Sequence, residues 1–410
     1  MSAPTVQPGG IPARRGLMAS YLVLNITSGT VAGAMQLAVP LYALSLKADT
    51  AQIGLIRGIS GIGLLLLVIP AGFLVDHYGS KRLFLVGGLF GTVATFSLVT
   101  AHTPLAIAAV MGLAGLFSSL KMTALNSSFY SNLQSMGIEK AGWFKGSMSI
   151  GLTFLGPLAG GWLAHAISYD ALFKLLAACT LIPISLVFFF HNEPARQGSG
   201  GLRAAVRKQL TDFAGLIRRR ELYLPLLTES LSTSFFATFS AFIVVLAVQS
   251  LHLPATAASL LLSIEGGLFI ITVFAAGKLI LRCSLLQLYV LAVAVVVVGL
   301  IGLAVAGSFA ALVVTTVVLG IGLGLINLVV SSRIGQMPGD KGKVVGLFSA
   351  AVGVGISVGP MAGGLIGTWV GTRGIFLSFV PLFLALPLLV YRQEKRSRVP
   401  AGPLPAAVTE

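Results

Sequence analysis

Acidic residues are scarce in this chain: Asp and Glu together number 12 among 410 residues, and all charged residues make up only 10%. Soluble domains carry roughly a quarter charged residues, so a water-exposed globular fold is excluded. Cysteine is limited to Cys179 and Cys283, which lie in or beside apolar segments far apart in sequence. That excludes a disulfide framework and a cysteine-based metal site. The histidines, His77, His102, His165, His191 and His252, fall near expected helix ends and share no metal-ligand spacing. The loops hold no nucleophile–base pair, phosphate loop or metal constellation, and the longest polar interval, from His191 to about Tyr223, is too short for a catalytic domain. Composition therefore argues against an enzyme and implies neither cofactor nor metal.

What the chain does hold is apolar sequence, 56% of it, with a mean hydropathy of +0.96. A run of about 20 apolar residues suffices to cross a bilayer. Twelve such spans are expected, near 17–45, 53–75, 83–101, 105–130, 144–167, 171–190, 223–250, 255–281, 284–306, 308–332, 344–369 and 371–391. The net charge of +15 would point to nucleic acid in a soluble protein. With the N-terminus inside, however, all the Lys and Arg residues except Lys47, Arg57, Lys121, Lys174 and Arg373 fall in cytoplasmic segments. This is the positive-inside pattern, so the basic partner is the anionic inner leaflet and nucleic acid is rejected. The first apolar run continues through Gln36 and Pro40 without a convincing cleavage site and is read as an uncleaved helix. Localisation follows: an integral protein of the plasma membrane, which is the inner membrane in a Gram-negative cell.

The sequence repeats itself. Gly156-Pro157-Leu158-Ala159-Gly160-Gly161 returns as Gly359-Pro360-Met361-Ala362-Gly363-Gly364, 203 residues later, inside another apolar run. A period of half the chain within a membrane marks a duplicated transporter fold. Small residues at these spacings let helices approach closely, and proline bends one of them. Gly151 precedes the first copy. The expected organisation is a cytoplasmic tail 1–16, a six-helix bundle 17–190, a linker 191–222, a second bundle 223–391 and a tail 392–410. In the linker, Leu202, Val206, Leu210, Phe213 and Ile217 recur at helical spacing among arginines, which reads either as a basic amphipathic helix on the inner membrane face or as a flexible basic loop. The fold class is thus an all-α polytopic membrane protein with two pseudo-symmetric bundles and both termini cytoplasmic.

After the second span comes Gly72-Phe73-Leu74-Val75-Asp76-His77-Tyr78-Gly79-Ser80-Lys81-Arg82. Gly72 suits close helix packing and Gly79 a positive φ, Asp76 can cap the turn or pair with cations, and Lys81 and Arg82 suit the inner headgroups. This segment resembles the signature loop of the major facilitator superfamily, G-x-x-x-D-x-x-G-x-[KR]-[KR], which in that family serves conformational gating. A decayed second-half copy, Gly277-Lys278-Leu279-Ile280-Leu281-Arg282, lacks the aspartate, and Pro338 to Gly346 resembles the loop before span eleven. Gly151, Gly156, Pro157, Gly160 and Gly161 resemble the antiporter motif of the family's exporters, and Gly33 to Pro40 resembles the start of its twelve-span drug/proton antiporters. Those antiporters carry an arginine in span four, where Met111 stands here before Gly115. The resemblance implies alternating access, proton coupling and a small-molecule substrate.

An ionisable group at mid-membrane costs roughly 2.5–3.5 kcal/mol on insertion scales, so each one needs a partner, water or a function. Glu265, in Ser263-Ile264-Glu265-Gly266-Gly267, is a proton-coupling candidate or a carboxylic acid bracing two helices. Glu229, two turns into span seven, shares a face with Ser232, Phe236 and Ser240; the stripe reads as cavity lining, and Glu229 as a second proton site or the partner of a cytoplasmic-end cation. Lys121, flanked by Ser118 and Ser128, would attract an anionic head group, pair with Glu229 or snorkel. Arg57, one turn into span two, is assigned to snorkelling at the outer end. Asn25, Ser28 and Gln36 form an uncharged stripe on span one, either touching substrate or satisfying neighbouring helices. The expected protein is a monomeric, proton-driven exporter of a small amphipathic anion or zwitterion, with a proton symporter or facilitator for an organic nutrient or metal chelate as the alternative.

Overall fold

The structure, a computed structural model, describes residues 11–137, 140–187, 220–277, 283–336 and 341–397, with the single positions 207, 211 and 215. The described elements are helical: α1 (Ile11–Ser45), α2 (Thr50–Tyr78), α3 (Ser80–Ser97), α4 (Pro104–Met136), α5 (Lys140–Ser149), α6 (Gly156–Ala166), α7 (Tyr169–Leu186), α8 (Arg220–Val244), α9 (Ala255–Ala275), α10 (Leu285–Val305), α11 (Phe309–Gln336) and α12 (Lys341–Ser397). A one-turn 3-10 segment, Leu98–Thr100, follows α3, and π-helical segments Ile150–Leu155 and Val245–Ser250 join α5 to α6 and extend α8. Most of the linker, the loops 278–282 and 337–340, and the tail residues 1–10 and 398–410 lie outside the described residues, so their expected structure is not observed; residues 11–16 and 392–397, expected in the tails, continue α1 and α12.

Short-range chemistry sets the helix starts. Asp49 accepts from the Gln52 backbone N–H at 2.7 Å while the Gln52 side chain accepts from the Asp49 N–H at 3.0 Å, a reciprocal cap for α2. Ser284 and Gln287 do the same for α10. Thr103 caps α4 ahead of Pro104, whose missing N–H costs nothing at that position. Gly79, at φ 83°, turns the chain from α2 into α3 within the signature loop, as expected of it. Close packing at Gly72 is not found: among the described residues nothing lies within 4 Å of where a Cβ would stand.

Eleven helical segments among the described residues are long and apolar enough to cross a membrane, against twelve expected. The difference arises in α12, whose 57 residues are continuous except at Gly371. Straight, such a helix would rise about 85 Å, far more than the roughly 30 Å of a hydrocarbon core. At Gly371 φ is 70°, a non-helical value that breaks the element into two arms, each long enough to span.

The doubled motif packs the same way in both halves. A Cβ on Gly156 would stand 2.6 Å from Gly33 Cα, and one on Gly160 2.8 Å from Ala34 Cα, both on α1. In the second copy, Gly359 meets Ser234, and Gly363 lies 3.0 Å by the same measure from Thr238 Cγ2, both on α8. The last glycine of each copy turns to the opposite half. Gly161 abuts Ser259 of α9, and Gly364 abuts Thr50 and Gly54 of α2. One hexapeptide thus holds a helix to its own bundle through two glycines and to the other bundle through the third.

Pro157 has a further effect. It has no N–H to give to Thr153, four residues back, and the backbone between Ile150 and Leu155 widens into the π form. The Phe154 carbonyl then accepts a hydrogen bond at 2.9 Å from Ser263 Oγ of α9, across the two halves, and Gly266 packs directly on Thr153.

Candidate substrate cavity and its charges

A cavity of about 480 Å³ lies between α1, α2, α3 and α4 of the first half, the π segment Ile150–Leu155, and α12. Its wall includes Ser28 and Gln36 of α1, Arg57 and Ser60 of α2, and Ser118, Ser119 and Lys121 of α4. Both cations come from adjacent helices held in register by close contact: Gly115 of α4 abuts the Ser60 backbone of α2, and Gly63 of α2 abuts Leu116. Arg57 lies three residues before that contact and Lys121 six beyond it, so a rise of 1.5 Å per residue separates them by about 13 Å along the helix axes. Among the described residues that line the cavity there is no Asp or Glu.

Burial makes the wall chemically unfinished. Ser28 is 4% exposed, Ser119 2% and Arg57 8%. Ser28 Oγ, Ser119 Oγ and Arg57 Nε have no hydrogen-bond partner among the described residues. Arg57 Nη2 donates to Ser240 Oγ of α8 at 3.2 Å, and Ser240 in turn donates to the Ala237 carbonyl. The snorkelling expected of Arg57 is therefore corrected: the guanidinium points into the protein and reaches the second half. The sequence held a signal for this, since Gly54, Gly58 and Gly61 flank Arg57 at helical spacing and mark a tightly packed face, where a long side chain has no route to lipid headgroups.

The structure gathers Ser28, Gln36, Ser118 and Lys121 on one cavity and leaves other candidates elsewhere. Asn25 is fully buried and off this wall: its Nδ2 donates to the Phe144 carbonyl at 2.8 Å, tying α1 to α5, and its Oδ1 has no partner among the described residues. Glu229, Ser232 and Phe236 are off this cavity's wall, contrary to the lining expected for their stripe. The Ser232 hydroxyl turns back on its own helix, donating to the Glu229 carbonyl at 3.2 Å. Glu265 is 1% exposed, outside the cavity, and packed where α9 meets α11 at Gly320, one residue before the Gly266 contact with the π segment. Both its carboxyl oxygens lack a hydrogen-bond partner among the described residues. Sequence reading did not single out Ser60, Ser119, Asn126 or Ser349 of the wall, because a serine or asparagine on an apolar helix gives no sign of which face it occupies.

The profile described as Major Facilitator Superfamily matches residues 21–334 and again 226–409. The chain belongs to the major facilitator superfamily. It is therefore an integral plasma-membrane transporter and not an enzyme. Its similarity to known members is spread thinly. An uncharacterised MFS-type transporter of Bacillus subtilis (strain 168), YfkF, is 29% identical over 142 residues, covering 33% of this chain and 35% of that protein. A multi-drug resistance efflux pump PmrA homolog of Lactococcus lactis subsp. lactis (strain IL1403) is 25% identical over 182 residues, covering 43% of each. The matches thus span less than half the length of these two relatives. A mutant of the nucleoside transporter NupG superposes with a TM-score of 0.79 at 15% identity, covering 92% of this chain and 99% of that one. That likeness extends the superfamily fold over nearly the whole chain.

Proposed function

We propose that this major facilitator exports a small amphipathic organic anion or zwitterion in exchange for protons. The observation that carries the reading is the cavity wall, which sets Arg57 and Lys121 among hydroxyls and amides and, among the described residues, includes no carboxylate. A buried cation without a counter-ion is costly, and a bound anion would compensate it. With the termini inside, the two arms of α12 count as separate crossings and make twelve, and the glycine seam of α2 with α12 and of α6 with α9 lies toward the outer face. Two six-helix bundles then rock about the cavity, opening it alternately to each side. Glu265, buried next to the inter-bundle contact of Gly266 and without a bonding partner among the described residues, is the favoured proton carrier, with Glu229 as the second candidate. The doubled motif and the efflux-pump name of the Lactococcus relative support outward flux.

The test is purified protein in liposomes under an imposed pH gradient, screened against anionic metabolites, siderophores and cationic drugs. Proton flux driven by organic anions is the expected result; flux driven by cationic drugs alone would sink the substrate class. Met111, standing where similar antiporters carry an arginine, favours the second reading, proton-coupled or facilitated uptake. Loss of the protein from cells separates the two: under export the lost strain accumulates substrate, under uptake it is depleted.

A further inference from the structure

We infer that Arg57 is the seat of a substrate carboxylate and that its bond to Ser240 is a latch which that carboxylate takes over. The inference rests on the organic-anion reading of the cavity and adds to it a residue and a mechanism. Arg57 lines the cavity from α2, while Ser240 belongs to α8 of the other bundle. Their 3.2 Å contact is thus a bond between halves. It lies on the helix whose Gly54, Gly58 and Gly61 pack against Pro360, Met361 and Ser357 of α12.

The guanidinium is only half used. A carboxylate docks side-on to an arginine through Nε–H and one Nη–H together. Here Nε is buried without a partner among the described residues, and Nη2 is held by the neutral oxygen of a serine. A carboxylate arriving in the cavity finds the Nε–H free and, as an anion, outcompetes the Ser240 hydroxyl for Nη2. Ser240 loses little on release, because its own proton already goes to the Ala237 carbonyl at 2.9 Å. Filling the site therefore removes an inter-bundle bond beside the glycine seam. Substrate binding and loosening of the seam become one event, and a neutral isostere, lacking the charge, would not drive it. Lys121, whose backbone stands about 13 Å further along the helix axes, is the cation left for the substrate's other end.

The experiment is a thermal-shift screen of the purified full-length protein against a library of organic acids, each beside its primary amide, followed by dissociation constants for the acids that stabilise it. The wild type should respond to acids and not to their amides. Arg57→Gln should weaken those acids roughly 10- to 100-fold, the range expected for a charge-assisted pair. Arg57→Lys, which keeps the charge but loses the fork, should recover only part of that affinity. Ser240→Ala should bind them several-fold more tightly, since the competitor for Nη2 is gone. Should Arg57→Gln fail to fold, the lysine and alanine variants carry the same test. Acids that bind Arg57→Gln or Arg57→Lys as tightly as wild type, yet are weakened by Lys121→Gln, would overturn the seat while leaving the organic-anion cavity standing. Unchanged affinity in Ser240→Ala would overturn the latch. Stabilisation by amides or amines and by none of the acids would overturn the cavity reading itself.

Discussion

At the scale of single residues, the informative groups are those whose chemistry the surrounding fold leaves incomplete. Glu265 has a carboxyl group buried to 1% exposure with neither oxygen bonded among the described residues, beside a helix contact made by Gly266. Such a group can serve as a carrier because nothing else claims its proton. Glutamine has the same shape and cannot release one. Glu265→Gln is expected to abolish pH-driven transport in proteoliposomes while leaving the melting temperature close to wild type; full proton-coupled activity in that variant would remove Glu265 from the mechanism. The sequence made Glu265 and Lys121 conspicuous because a charge amid apolar residues stands out without coordinates. Position along the helix alone misplaces Arg57, whose direction is signalled only by the flanking Gly54, Gly58 and Gly61. Asn25 shows a limit of spacing: it was grouped with Ser28 and Gln36, yet it lies off the cavity wall with its Nδ2 bonded to the Phe144 carbonyl of α5.

At the scale of elements, the G-P-x-x-G-G helix is the part whose sequence and packing correspond most closely. Two glycines seat it on α1 or α8 and the third on α9 or α2, so the hexapeptide encodes a three-helix junction in each half. A Cβ on Gly364 would stand 2.6 Å from the Thr50 carbonyl oxygen and 2.9 Å from Gly54 Cα, both backbone atoms of α2 with little room to yield. Overpacking of this kind costs about 1–3 kcal/mol. If the seam must close in each cycle, that cost shifts closure by about 5- to 150-fold. Gly364→Val should therefore cut transport steeply at normal expression, measured in vesicles. Gly72→Ala, with open space around it among the described residues, should stay within about twofold of wild type. Equal loss in both would mean that the signature-loop glycine acts in a conformation other than this one. The π turns were not legible in advance, although Pro157 pointed to a disturbed backbone; whether a proline kinks, breaks or widens a helix depends on how the neighbouring helices pack on that turn, here Ser263 bonding the Phe154 carbonyl and Gly266 seated on Thr153.

For the whole molecule, the prediction concerns orientation. The basic residues and the two arms of α12 on either side of Gly371 place both termini in the cytoplasm under the proposed reading. A fluorescent protein fused to either end should fluoresce and a periplasmic-type reporter stay silent; the opposite result at one terminus alone would break the count of twelve. By itself the sequence determined the membrane class, the duplication and the family resemblance, since hydropathy, repeat spacing and charge asymmetry are properties of the chain in order and survive without coordinates. Only the tertiary structure decided which charges share a cavity. Residues 57, 121 and 240 are far apart in sequence; that Arg57 shares a cavity with Lys121 and bonds Ser240 depends on how α2 lies against α4 and α8, a packing that local spacing does not encode.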